Sequence, residues 1–148
     1  MQEIIGDLWD FYKQPYHTIL ITTNGTIKSD GSVVMGRGCA KEAADRFPRL
    51  PKILGKLISE GGNHIHFIPS AMIYSFPVKH NWWEKADLEL IRQSAEELAR
   101  LAWPGGFETN YILPRPGCGN GGRDWETEVK PILEPILPKN VKVISSGR

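Results

Sequence analysis

The segment Leu113-Pro114-Arg115-Pro116-Gly117-Cys118-Gly119-Asn120-Gly121-Gly122-Arg123-Asp124-Trp125 constrains the fold more than any other part of the chain. It joins an apolar run, Tyr111-Ile112-Leu113, to a stretch with a helical pattern, so it reads as a strand, a glycine-rich loop and a helix in succession. Glycines in such a loop let backbone N–H groups come close to a ligand. The N–H groups and positive dipole end of a helix start favour anions, phosphate above all. The implied ligand carries phosphate, and the plain alternative is an ordinary strand-to-helix turn.

Short apolar runs, mostly β-branched or aromatic, predict strands over 3–5, 18–22, 64–68, 72–76, 111–113 and 141–144. Between them the pattern predicts helices over 39–47 and 50–59, split by Pro48, and over 86–103. In the last of these, Leu88, Ile91, Ala95, Leu98 and Ala102 form one core-facing stripe. A final helix is expected over 125–137, bent or shortened by Pro131 and Pro135. Strands alternating with helices argue for an α/β fold, and the runs 64–68 and 72–76, joined by Pro69-Ser70-Ala71, read as a hairpin, so the sheet is expected to be mixed. The 148 residues fit a single domain spanning 1–148. A net charge of +1 argues against a strong overall field toward nucleic acid or acidic membranes, leaving room for a local basic patch. Cys39 and Cys118 match neither a metal spacing nor a disulfide framework, which points to a reducing, cytoplasmic setting. No secretory signal or membrane-length apolar run is visible, so Asn24-Gly25-Thr26 is expected to stay unglycosylated.

Two further segments carry chemical potential. The first, residues 24–40, contains Gly25, Gly31, Gly36 and Gly38 and also leads into a helix. Gly31 to Gly38 superficially matches a P-loop, but Arg37 and Gly38 stand where the lysine and hydroxyl are needed, which argues against an NTPase. Gly36-Arg37-Gly38 begins like a dinucleotide fingerprint, but Lys41 replaces the third glycine, which disfavours a Rossmann dehydrogenase. Asn24-Gly25 taken alone reads as a two-residue hairpin turn. The second segment is Ser75-Phe76-Pro77-Val78-Lys79-His80-Asn81-Trp82-Trp83. A lysine at a strand end beside aromatic rings can be partly desolvated, which lowers its pKa and makes the amine nucleophilic toward a carbonyl carbon; the plain alternative is a surface lysine. Asn81 and Glu84 have helix-capping spacing, Trp82 and Trp83 suit a core edge, Asp124 suits a helix N-cap, and His64 and His66 read as structural.

Together these motifs resemble the macro domain, the α/β/α module that binds ADP-ribose, over essentially the whole chain. Ile5-Gly6-Asp7-Leu8 resembles the family's opening signature, Thr23-Asn24-Gly25 its ribose-contacting asparagine, and Met35-Gly36-Arg37-Gly38-Cys39-Ala40 its first ligand loop. Phe76-Pro77-Val78-Lys79 with Trp82, followed by Gly117-Cys118-Gly119-Asn120-Gly121-Gly122 with Asp124-Trp125, is similar to the branch of DarG antitoxins and terminal-ADP-ribose glutamate hydrolases.

The resemblance implies a three-layer α/β/α fold with a mixed, mostly parallel sheet and a ligand cleft at the strand ends. Asp7, with Leu8, would hold the adenine and Asn24 the distal ribose. The backbone around Gly36, Arg37, Gly38 and Cys39, and around Gly117, Cys118, Gly119, Asn120, Gly121 and Gly122, would hold the diphosphate. Lys79 would act at C1'' of the distal ribose, capture the ring-opened sugar as an imine and so hydrolyse the ADP-ribosyl linkage, with no metal and no cofactor. Some relatives carry an aspartate inside the second loop; here Asn120, Gly121 and Gly122 occupy it and the nearest acid is Asp124. The longer segment between Asn24 and Gly36 implies a projecting hairpin tip, Lys28-Ser29-Asp30-Gly31-Ser32, that selects substrate. The Asn-Ala-Ala-Asn and triple-glycine motifs of the magnesium-independent protein mono-ADP-ribose hydrolases are absent. Expected partners are ADP-ribose, or ADP-ribosylated DNA or protein, with no membrane and no stable protein partner. The competing readings are a non-catalytic ADP-ribose reader and a single-strand nucleic-acid module built on Lys79, His80, Trp82 and Trp83.

Overall fold

The computed structural model describes residues 1–102 and 109–147. Strands β1 (Gln2–Ile5), β2 (His17–Asn24), β3 (Phe67–Ile68), β4 (Ile73–Lys79), β5 (Asn110–Pro114) and β6 (Val141–Ser145) form one sheet in the order β1-β6-β5-β2-β4-β3. All neighbours are parallel except the β3/β4 hairpin. The helices are α1 (Gly38–Arg46), α2 (Leu50–Gly61), α3 (Leu88–Ala102) and α4 (Lys130–Leu133). Among the described residues, no helix is long and apolar enough to cross a membrane.

Side chains along each strand alternate between two cores. Ile19, Ile21 and Ile112 pack with Ala43, Leu54 and Ile58 of α1 and α2, while Leu20, Tyr111, Leu113 and Val143 pack with Ile91, Ala95, Leu98 and Leu133 of α3 and α4. The expected three-layer, mixed and mostly parallel architecture is therefore present. The predicted stripe on α3 faces its core as expected, and the structure adds Ser94, buried, whose Oγ donates to the Pro77 carbonyl at 2.8 Å. Trp103, the predicted end of that helix, lies outside the described residues.

Several local expectations are corrected. Asn24-Gly25 is not a hairpin turn, because β2 is a central strand with β4 and β5 as its neighbours. The predicted strand 64–68 shrinks to two residues: Glu97 Oε1 accepts from Ile65 N–H and Ser75 Oγ from His66 N–H, so side chains take the amides that a ladder would need. Helix α3 is capped by Asp87, whose Oδ1 accepts from Glu89 and Leu90 N–H, while Asn81 and Glu84 bond each other in the preceding loop. The predicted helix 125–137 divides into a π-helical turn, Trp125–Val129, and the single turn of α4, with Pro131 at its start.

Candidate functional site

The carboxyl ends of β2, β4 and β5 open onto a cleft of about 890 Å³, where an open α/β sheet ordinarily receives its ligand. Thr22, Thr23 and Asn24 line it from β2, Val78 and Lys79 from β4, and Pro114 with Arg115 from the end of β5. The two glycine loops form its walls.

The first wall, residues 34–40, runs into α1. Arg37 caps that helix with no side-chain bond among the described residues, so the first N–H groups of α1, beside the cleft, have no side-chain cap. Asn24 anchors the base of this wall: its Nδ2 donates to the Val34 carbonyl at 2.9 Å and its Oδ1 accepts from Thr26 N–H at 3.0 Å. Asp30 and Ser32 bond one another at the tip of residues 28–32, and an Ile27–Val33 antiparallel bridge closes that tip as a small hairpin. Rather than reaching over the cleft, it is seated on α2, where Val33 N–H donates to the Pro51 carbonyl and Gly55 leaves room for the Gly31 carbonyl.

The second wall follows β5. Gly117, with φ of +75°, turns the chain back so tightly that a Cβ on Gly121 would lie 2.5 Å from the Gly117 oxygen. Ala86 N–H donates to the Gly121 carbonyl and Arg123 Nε to the Ala86 carbonyl, fastening the loop to the start of α3. A Cβ on Gly36 or Gly119, by contrast, would meet nothing within 4 Å among the described residues, so both glycines face open space there. The walls meet where Asn120 Nδ2 approaches Gly38.

Lys79 stands between them. Its Nζ donates to the Trp82 carbonyl at 3.2 Å and the Asn120 carbonyl at 3.3 Å. Desolvation, assisted by the nearby Arg37 charge, lowers its pKa below the ordinary lysine value. Trp82 and Trp83 do not close the core edge: they are 48% and 64% exposed, pack edge to face, and line the cleft mouth with Glu84 and Lys85. Burial raises the thiol pKa of both cysteines, Cys118 to about 11. Cys39 Sγ sits 3.3 Å from Thr22 Oγ1 at the cleft.

The structure thus brings together in the cleft Asn24, Gly36, Arg37, Gly38, Cys39, Lys79, Gly117, Gly119, Asn120, Gly121 and Gly122. Four predicted residues are outside the lining. Asp7 caps a 3-10 turn, Leu8–Phe11, with Oδ1 accepting from Trp9 N–H, and Leu8 is buried beneath it. Cys118 turns into the α3 core. Asp124 caps the π-helical turn, with Oδ2 accepting from both the N–H and the hydroxyl of Thr127. His64 faces Glu97 and His66 the Gly62 carbonyl. Sequence reasoning missed Thr22, Glu84, Lys85 and Arg115 as cleft residues; their position directly beside the motifs was the available signal.

No family model and no curated protein matches the chain. Solved structures do. Thermosipho africanus DarTG in complex with ADP-ribose superposes with a TM-score of 0.72 at 18% identity, covering 97% of this chain and 41% of that one. The chain thus spans less than half the length of that protein. The macrodomain of Thermus aquaticus DarG gives 0.71 at 24% identity, with 97% and 95% covered, and that of Mycobacterium tuberculosis DarG gives 0.70 at 23%, with 95% and 97% covered. The fold they share with this chain is the macro-domain fold.

Proposed function

From the macro-domain fold as premise, we propose that this protein binds ADP-ribose and removes ADP-ribosyl groups from a modified substrate, with Lys79 as the nucleophile. The observation that carries the reading is a lysine amine of lowered pKa held between two glycine-rich, N–H-bearing walls. The diphosphate would lie along the backbone of residues 36–40 and 117–122, at the start of α1. The adenine end would extend toward Asp7 and Leu8, and the distal ribose toward Asn24 and Lys79. That Thermosipho africanus DarTG is a complex with ADP-ribose supports the ligand.

In the proposed reaction, the neutral Nζ bonds to C1'' as the linkage from C1'' to the leaving base or carboxylate breaks. The ribose ring opens, nitrogen loses a proton, and an imine holds the sugar. Water then adds to the imine carbon, ADP-ribose departs and the amine is regenerated. The leaving group is protonated as it departs. Both nearby carboxylates hold a partner, Asp124 the Thr127 N–H and hydroxyl and Glu84 the Asn81 Nδ2, but of the two Glu84 lines the cleft, which favours Glu84 for that transfer. The bonds Lys79 makes inside the cleft weigh against an open basic platform for nucleic acid.

The test is calorimetric titration with ADP-ribose, with AMP and ADP as controls, followed by release assays on ADP-ribosylated DNA and protein. Selective ADP-ribose binding, with release that disappears in Lys79→Ala while affinity is kept, is the expected result. No binding would remove the reading altogether, and binding without release in the parent would leave a reader.

A further inference from the structure

Four consecutive carbonyls at the end of β4 each accept a hydrogen bond from a different part of the chain. Ser94 Oγ donates to Pro77 at 2.8 Å, Asp87 N–H to Val78 at 2.9 Å, Asn63 Nδ2 to Lys79 at 3.0 Å and Gly25 N–H to His80 at 3.1 Å. The ladder with β2 is irregular at the same place: Thr23 opposes Pro77 and Asn24 opposes Lys79, so Val78 is skipped. Such a bulge re-aims the side chains that follow it, and here the next side chain is that of Lys79.

Asn63 stands out among the four donors. It comes from the loop between α2 and β3, and its Oδ1 is buried with no donor among the described residues. It is also locked in place, because a Cβ on Gly25 would lie 2.9 Å from Asn63 Nδ2 and 2.9 Å from the His80 oxygen. A residue kept for packing alone would not carry an orphaned buried acceptor, since an apolar side chain of similar size would pack there without it.

We propose that Asn63 is a positioning residue for Lys79: its bond to the Lys79 carbonyl, closed behind Gly25, fixes the bulged end of β4 so that the amine stays between the two glycine walls. This rests on the reading of Lys79 as the nucleophile. It also explains what Asn24-Gly25 does in place of a hairpin turn, since Gly25 is the one residue type that admits both Asn63 and His80 at this distance.

The test is Asn63→Ala in the whole protein, with Asn63→Asp as an isosteric variant that keeps the shape and lacks the donor, and Gly25→Ala as an independent opening of the same contact. Three quantities are read: release from an oligonucleotide and a peptide carrying ADP-ribose, affinity for ADP-ribose, and the titration of Lys79 followed by NMR of 13C-labelled lysine. Displacement of the reacting group predicts a fall in kcat of about tenfold or more, with KM and ADP-ribose affinity within about twofold of the parent. The Lys79 titration moves up toward the ordinary lysine value as the amine gains solvent, and Asn63→Asp does not restore kcat. A folded Asn63→Ala protein with parental kcat and an unmoved Lys79 titration overturns the proposal. If the parent itself releases nothing, the reading of Lys79 as nucleophile fails, and the Lys79 titration alone then decides whether Asn63 positions it.

Discussion

Two glycines of the second wall, two residues apart, should respond to the same added methyl group in opposite ways when folding and binding are measured separately. At Gly121 the methyl would sit 2.5 Å from the Gly117 oxygen and 2.7 Å from the Gly117 Cα. That is about 1 Å short of ordinary contact, with backbone on both sides, so the loop must open. Overpacking of this kind costs about 1–3 kcal/mol, or roughly 3–10 °C in Tm for a domain of this size. At Gly119 the methyl would meet nothing within 4 Å among the described residues, so the free protein should be unaffected, or stabilised by about 0.4–1 kcal/mol through its unfolded state. If the open space is where the diphosphate lies, Gly119→Ala displaces it and removes one or two charge-assisted hydrogen bonds of about 1.5–3 kcal/mol each. The affinity for ADP-ribose then falls by about 10- to 100-fold or more. Thermal unfolding without ligand and calorimetric titration of both variants separate the two effects. Parental ADP-ribose affinity in Gly119→Ala would refute the assignment of this wall to the diphosphate.

Other consequences are smaller in scope. Ser94→Ala leaves the buried Pro77 carbonyl without the Ser94 hydroxyl and should lower stability by about 1–3 kcal/mol in urea unfolding. Glu3 accepts from Lys130 Nζ at 2.8 Å and Trp125 Nε1 at 2.9 Å, and the Lys130 bond above all holds its carboxyl below the ordinary value of 4.5. Its contribution is therefore complete above that value and is lost as pH falls through the lower folded value. Glu3→Gln should be less stable than the parent near neutrality, and the difference should shrink as pH falls below 4.5 and the carboxyl takes up its proton. With both thiols pushed up, Cys39 and Cys118 should alkylate at neutral pH much more slowly than in the urea-unfolded chain.

The parts of this fold legible in the sequence are those governed by local pattern. The apolar runs, the stripe on α3 and the two glycine loops each announce themselves within a dozen or so residues, and their alternation implies the layers. What escaped depends on contacts distant in the chain. Asn-Gly is a strong turn signal, but β4 and β5 claim both edges of β2, and Gly25 serves instead to admit Asn63 and His80. The apolar run at 64–68 carries a strand pattern, yet Glu97 on α3 and Ser75 on β4 accept its amides, and neither is adjacent in sequence. Trp82 and Trp83 could have faced inward by composition alone; the loop holds Trp82 N–H on Thr26 Oγ1 and the Trp82 carbonyl on Lys79, which leaves both rings at the cleft mouth. Of the candidate site, the loops and the lysine were readable because each has a motif. Glu84, Lys85 and Arg115 were missed, since a charged residue beside a motif has no pattern of its own and is marked only by its neighbours.

Reductive trapping tests the central claim most directly. The protein is incubated with an ADP-ribosylated oligonucleotide or glutamate-linked peptide in the presence of cyanoborohydride, and the products are mapped by mass spectrometry. The account predicts an ADP-ribosyl adduct on Lys79 in preference to every other lysine, forming faster as pH rises and the amine loses its proton. In Lys79→Ala the adduct should be absent although ADP-ribose still binds. Turnover by the parent with no adduct at Lys79, or undiminished release by Lys79→Ala, would contradict it.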